Sequence, residues 1–171
     1  TQGTVSPYGA NWSNTFATNT GVQFPYTSAL TSWWTQDFTM EMWVFNNTNA
    51  VSATNSLPLQ FAHGDYTAAS TYWAFGTNAS GQVMFYYYNG GANSVTSTAV
   101  APLSTWNHIA MVYTNSSGNI SLYLNGVSVA SATKSGTPQN ISSNTVNIGA
   151  VQATYYNGYV SNLRVLNGTA L

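Results

Sequence analysis

The stretch WNHIAMVYTNSSGNISLYLNGVSVASA (106–132) leaves this chain little choice of architecture. It reads as three strands in succession, because runs rich in Val, Tyr, Trp and Ile are broken by turn residues at short intervals. The first break is Asn-Ser-Ser-Gly. The second is Asn125-Gly126, the pair that best tolerates the two left-handed residues of a tight hairpin. Strand 106–113 carries large groups on both faces, as expected in the middle of a sheet.

The same grammar runs through the rest of the sequence. DFTMEMWVF (37–45) places Phe38, Met40, Met42 and Val44 on one face and Thr39, Glu41, Trp43 and Phe45 on the other. QVMFYYYNGG (82–91) is a strand entering an Asn-Gly-Gly turn. Further strands are expected near 13–17, 21–26, 57–62, 71–77, 94–100, 144–150 and 158–166. No segment shows helical periodicity. About eleven short strands with turn signals every 8–12 residues imply an all-β, antiparallel two-sheet sandwich or jelly roll. No linker or internal repeat divides the 171 residues, so the expectation is one domain over 1–171.

Charge is the other constraint. Only Asp37, Glu41, Asp65, Lys134 and Arg164 are charged, 3% of the chain against roughly 25% in an ordinary domain. Solubility rests on 63 Asn, Ser and Thr residues. Two basic residues cannot neutralise a phosphate backbone, which excludes a nucleic-acid partner. They also make no polybasic membrane patch, and no apolar run approaches the roughly 18 residues of a spanning helix, so membrane insertion is not expected. Absence of cysteine removes disulfide and thiolate chemistry. The start at Thr1 leads to the expectation of a processed form or a piece of a longer protein. Seven Asn-x-Ser/Thr sequons are near the number this composition gives by chance and carry no glycosylation claim.

Four blocks then carry a resemblance. GTVSPYGANWSNTFAT, DFTMEMWVF, WNHIAMVYTNSSGNISLYLNGVSVAS and NIGA…YYNGYVSNLRVLNGTAL, in this order and spacing, resemble the laminin G-like jelly-roll domains of the concanavalin A-like lectin/glucanase superfamily over essentially the whole chain. The opening SPYGANWSN and the closing GYVSNLRVLNGTAL look like modules of marine bacteriophage tail, fibre and capsid-decorating proteins. The resemblance implies that the closing strand lies beside the strand of Glu41. Val160, Leu163 and Val165 cannot share a face at strict period two. A β-bulge near Ser161–Asn162 would bring them together and turn Arg164 outward, to meet Glu41 in a partly covered, bidentate structural ion pair.

Catalysis finds little support in these residues. Glycoside hydrolysis needs two carboxylates roughly 5–9.5 Å apart. Asp37 and Glu41 stand about 13 Å apart on a strand at 3.3 Å per residue, and the carboxylates two residues apart of the superfamily's hydrolases are absent. His108 matches the family's structural W-x-H position and reads as a buried or sheet-lining histidine. His63 shares an expected loop with Asp65 and Tyr66, without a nucleophile elbow. The enzyme expectation is therefore negative, with no catalytic residue, no cofactor and no metal assigned. Calcium held near Asp65 by Asn side chains and carbonyls is the one metal reading, since relatives bind it at a rim.

What remains is recognition. Six Trp and twelve Tyr exceed the needs of one core, and aromatic faces with nearby amides suit sugars as well as protein neighbours. Both faces of the central strands look committed to packing, so contacts are expected from rim loops: His63, Asp65 and Tyr66, the turn at Asn89, and Tyr155-Tyr156. The expected function is a non-enzymatic structural or adhesion module of a virion surface or other extracellular assembly, contacting a neighbouring structural protein, a second copy or a cell-surface glycan. A dedicated carbohydrate-binding lectin module is the alternative.

Overall fold

The computed structural model describes residues 2–3, 7, 13–17, 20–25, 27, 30, 32–49, 51, 56–64, 71–139, 145–151 and 154–171. Its strands are β1 (Gln2–Gly3), β2 (Ser13–Phe16), β3 (Val22–Phe24), β4 (Phe38–Asn46), β5 (Phe61–Gly64), β6 (Thr71–Thr77), β7 (Gln82–Tyr88) and β8 (Ala92–Val100). They continue with β9 (Trp106–Thr114), β10 (Asn119–Leu124), β11 (Val127–Thr133), β12 (Val146–Ile148), β13 (Ala150–Val151), β14 (Thr154–Tyr155) and β15 (Gly158–Asn167). A short 3-10 turn spans Trp33–Thr35.

Two antiparallel sheets form the sandwich. One has seven strands in the order β1-β2-β15-β4-β9-β10-β11, the other six in the order β3-β12-β5-β6-β7-β8. Strands adjacent in sequence pair through tight turns where the sequence carries turn residues. Asn125 (φ 52°) and Gly126 (φ 81°) make the β10–β11 hairpin in the left-handed region that this pair tolerates. The chain is an all-β jelly-roll sandwich, as its alternation required.

Period two sorts β4 cleanly. Phe38, Met40, Met42 and Val44 are fully buried between the sheets, and Glu41, Trp43 and Phe45 face away. Beside them on β9 lie Ile109, Met111 and Tyr113, and the other sheet contributes Phe61, Trp73, Phe75, Phe85 and Tyr87 to the same core. Trp33, on the 3-10 turn, is a central core residue. Its indole meets Phe85, Tyr87 and Tyr113 edge-on at centroid distances of 5.0, 5.8 and 5.1 Å. Both sheets offer this ring aromatic edges, and a buried Trp of this kind is worth about 3–5 kcal/mol against alanine.

A buried polar network lies at one end of the sandwich. The Tyr156 hydroxyl donates to Asn46 Oδ1 at 2.6 Å. Asn46 Nδ2 donates to Thr77 Oγ1 at 3.1 Å, and Gln60 Nε2 to the same oxygen at 2.8 Å. The Thr77 amide returns a bond to Gln60 Oε1 at 3.2 Å. The chain thereby ties β4, β6 and the approaches to β5 and β15 together without leaving these polar groups unsatisfied.

Candidate functional site

The outward face of the seven-stranded sheet gathers the chain's rarest side chains. β4 and β9 run antiparallel with Glu41 opposite Ala110, Trp43 opposite His108 and Phe45 opposite Trp106. On the other side of β4, β15 sets Tyr159 opposite Phe45 and Arg164 opposite Glu41. Between the pairs Ser161–Trp43 and Arg164–Glu41, β15 carries two residues where β4 carries only Met42. The strand absorbs the extra one with Asn162 in the left-handed region at φ 48°. Leu163 and Val165 thereby join Val160 against the core while Asn162 and Arg164 are exposed.

Arg164 Nε donates to Glu41 Oε1 at 2.7 Å, and Nη2 approaches the same oxygen at 2.6 Å. Both guanidinium nitrogens thus converge on one carboxylate oxygen, instead of engaging one oxygen each. The second, Oε2, lies 3.6 Å from His108 Nε2, a contact that is ionic only when the imidazole is protonated. The His108 ring sits 5.3 Å from Trp43, tilted by 56°. Side-chain exposures are 54% for Arg164, 26% for His108 and 18% for Glu41. The pair is therefore a surface pair with a largely covered carboxylate.

These groups line an open cavity of about 450 Å³ with Asn162 and Leu163. Two of the chain's five charged residues and one of its two histidines stand here. One residue pair further along the strands, Phe45, Trp106 and Tyr159 form an aromatic cluster. Phe45 meets Trp106 at 5.7 Å and Tyr159 at 5.5 Å, both edge-on. All three are half-buried.

The arrangement supplies a carboxylate acceptor, guanidinium and imidazole donors, an amide and an indole face, which is equipment for binding polar molecules. Glu41 is the only carboxylate among the residues lining the cavity. Asp37 is occupied elsewhere, accepting from the Asn115 amide at 2.8 Å. Among the described residues, no three of His, Cys, Asp and Glu stand together as a metal would require.

Of the expected rim-loop contacts, the described residues His63, Asn89, Tyr155 and Tyr156 do not line this cavity. His63 belongs to strand β5, opposite Val146 and Trp73, and is fully buried. The strand expected over 57–62 lies further along the chain, at Phe61–Gly64, and takes in His63. Asp65 and Tyr66 lie outside the described residues, and the calcium reading with them. Tyr156 is also fully buried. Its ring packs against Phe16, its hydroxyl lies 3.0 Å from Phe45 O, and burial raises its pKa far above the ordinary tyrosine value. Tyr155 is half-buried on β14 opposite Ala150. Asn89 braces its turn, donating to Ser135 O at 2.7 Å and accepting from Asn93 Nδ2 at 2.7 Å.

Trp43, His108 and Asn162 were missed as site residues because both faces of the central strands were expected to pack. The outward row Thr39, Glu41, Trp43 and Phe45 held the signal. An acidic residue followed in its row by two aromatics, in a chain with five charges, marks a face that water or a ligand reaches.

The family model described as the Concanavalin A-like lectin/glucanases superfamily, a laminin G model, matches residues 16–171. Among solved structures, domain 4 of AbnA, a GH43 extracellular arabinanase from Geobacillus stearothermophilus in complex with arabinotriose, aligns with TM-score 0.67. Identity is 16%, over 94% of this chain and 72% of that one. The CBM40 of Ruminococcus gnavus IT-sialidase bound to α2,3 sialyllactose aligns with TM-score 0.63 and 14% identity, over 80% and 78% of the two chains. Domains LG4-5 of the mouse laminin α1 chain give TM-score 0.63 and 14% identity over 90% of this chain, which spans 40% of that fragment. At these identities the likeness is one of fold. No curated protein sequence matches the chain.

Proposed function

This chain belongs to the concanavalin A-like lectin/glucanase superfamily, and from that premise we propose that it is a carbohydrate-binding, lectin-like module whose site is the cavity on the outward face of β4, β9 and β15. The observation that carries the reading is the gathering of Glu41, Arg164, His108 and Trp43 around one open cavity in a chain almost without charge. Sugars are held by an aromatic face beneath their C–H groups and by a few placed donors and acceptors at their hydroxyls. The named ligands of two fold neighbours, arabinotriose and sialyllactose, support a sugar as the class. A single carboxylate at the cavity supports binding without cleavage. The extracellular arabinanase among the neighbours supports an extracellular setting.

A second reading adds to the first. The module is a decoration or fibre domain of a virion or other extracellular assembly, fixed to a neighbouring structural protein or a second copy and displaying this site. The charge-poor surface and the phage-like opening and closing segments favour it. A single domain over 1–171 suits either reading.

The test is binding to an array of neutral and acidic glycans, repeated with Trp43→Ala and with a circular dichroism check of folding. The expected result is wild-type binding that the folded variant loses. Absence of binding to every glycan, or undiminished binding by the variant, would remove the reading.

A further inference from the structure

We propose that the cavity selects a neutral oligosaccharide of at least two rings, lying along β4 and β9, over a sugar acid. The inference rests on the lectin reading and names the ligand class of the same site.

The first argument is charge. Arg164 is one of two cations in the chain. Its Nε and Nη2 are directed at Glu41 Oε1, so an incoming carboxylate or sulfate would meet a guanidinium whose charge is already cancelled within 3 Å. The anion would also face the largely covered Glu41 carboxylate. His108 carries charge only when protonated, and as a neutral imidazole it offers a hydrogen bond and no counter-charge. Lys134, the second cation, donates to Gly136 O beyond the end of β11 and does not line the cavity. An acidic sugar would lose hydration without finding a free counter-charge. A neutral hydroxyl both donates and accepts. A pair of adjacent hydroxyls can therefore give a proton to Glu41 and receive one from Arg164, His108 or the Asn162 amide with no net charge moved.

The second argument is length. Successive residues on one strand face are about 6.6 Å apart at 3.3 Å per residue, the scale of one sugar ring. Trp43 lies in the cavity, and one such step along β4 is Phe45, joined across the strands by Trp106 and Tyr159. A chain whose first ring sits over Trp43 with its hydroxyls in the polar group therefore lays its next ring on the aromatic cluster. A single sugar would leave that cluster unused.

Isothermal titration calorimetry tests this with the mono-, di- and trisaccharides of the neutral glycan that binds best on the array, beside trigalacturonic acid and 3′-sialyllactose, in 0.1 and 1 M NaCl. The neutral trisaccharide should bind at least about tenfold tighter than its monosaccharide, with an affinity unmoved by salt, and tighter than either acid. Phe45→Ala should erase the gain with length. Saturation-transfer NMR on the unaltered protein gives an independent reading, since protons of the second ring should be saturated. An acid that binds as well as the neutral chain, or equal affinities for one ring and three, would overturn the inference while leaving the lectin reading standing. Failure of every glycan to bind would overturn both.

Discussion

Tyr156 and Asn46 are joined by a 2.6 Å hydrogen bond at the point where the approach to β15 meets the end of β4, both side chains fully excluded from solvent. Tyr156→Phe keeps the ring and removes the donor, leaving a buried amide oxygen short of its partner. Stability in urea should fall by about 1–3 kcal/mol. A loss below about 0.5 kcal/mol, the range of ordinary surface changes, would mean that the bond contributes nothing. The same burial means that replacing Tyr155 and Tyr156 together by alanine tests the core, not a contact surface.

The burial of Tyr156 also sets a pH dependence. Its folded-state pKa is raised, chiefly by desolvation, as are those of Tyr86 and Tyr113. Above about pH 10 the unfolded chain releases these protons and the folded chain holds them, so the native state binds more protons and stability falls as pH rises. The slope contributed by Tyr156 should reach about 1.4 kcal/mol per pH unit. Unfolding curves between pH 9.5 and 11.5 should be shallower in pH for Tyr156→Phe, and equal slopes would contradict the assignment.

Gly158 begins β15 where no side chain fits. A Cβ there would meet the Phe45 carbonyl oxygen, a backbone atom that cannot swing aside, and the Tyr156 hydroxyl oxygen and Cζ at 2.6 and 2.7 Å. Gly158→Ala should therefore cost more than about 3 kcal/mol or prevent folding. A variant with the melting temperature of the parent would show that β15 enters the sheet differently.

Arg164 and Glu41 should contribute modestly to stability. With the guanidinium half exposed, a double-mutant cycle using Arg164→Met and Glu41→Met should give a coupling of about 0.2–1 kcal/mol. The 3–5 kcal/mol of a stranded, fully buried charge would require the pair to lie inside the sandwich. Glycan binding should nevertheless be lost in both single variants, which separates the role of the pair in recognition from its role in folding.

Stability should be nearly independent of salt. Five charges in 171 residues, one exposed pair among them, give screening little to act on. Between 0.1 and 2 M NaCl the melting temperature should move by less than about ten degrees, and a larger shift would point to electrostatic terms not accounted for here.

The sheet was legible because β4 alternates in sequence and because β7, β9 and β10 each break at an Asn-led turn, at Asn89, Asn115 and Asn125. The bulge in β15 was legible because Val160, Leu163 and Val165 violate that alternation by one residue. The binding face was not. Periodicity divides a strand into two faces, but it does not say which face a second layer covers, and Trp43 and Met42 look equally apolar in sequence. His63 and Tyr156 failed for a related reason. A histidine before Gly64 and a tyrosine before Asn157 resemble loop residues until long-range pairing with Val146 and contact with Phe16 draw them inside.

The bulge also says something about how such a protein can diversify. Without Asn162 the closing strand would read Val160 in, Ser161 out, Leu163 in, Arg164 out and Val165 in, which is regular alternation with Arg164 still opposite Glu41. The fold has no need of the residue, yet its side chain forms part of the cavity wall. Loss or gain of a single codon at this point therefore reshapes the binding surface and leaves the hydrophobic pattern in register, a one-step inherited change that no single core substitution could match.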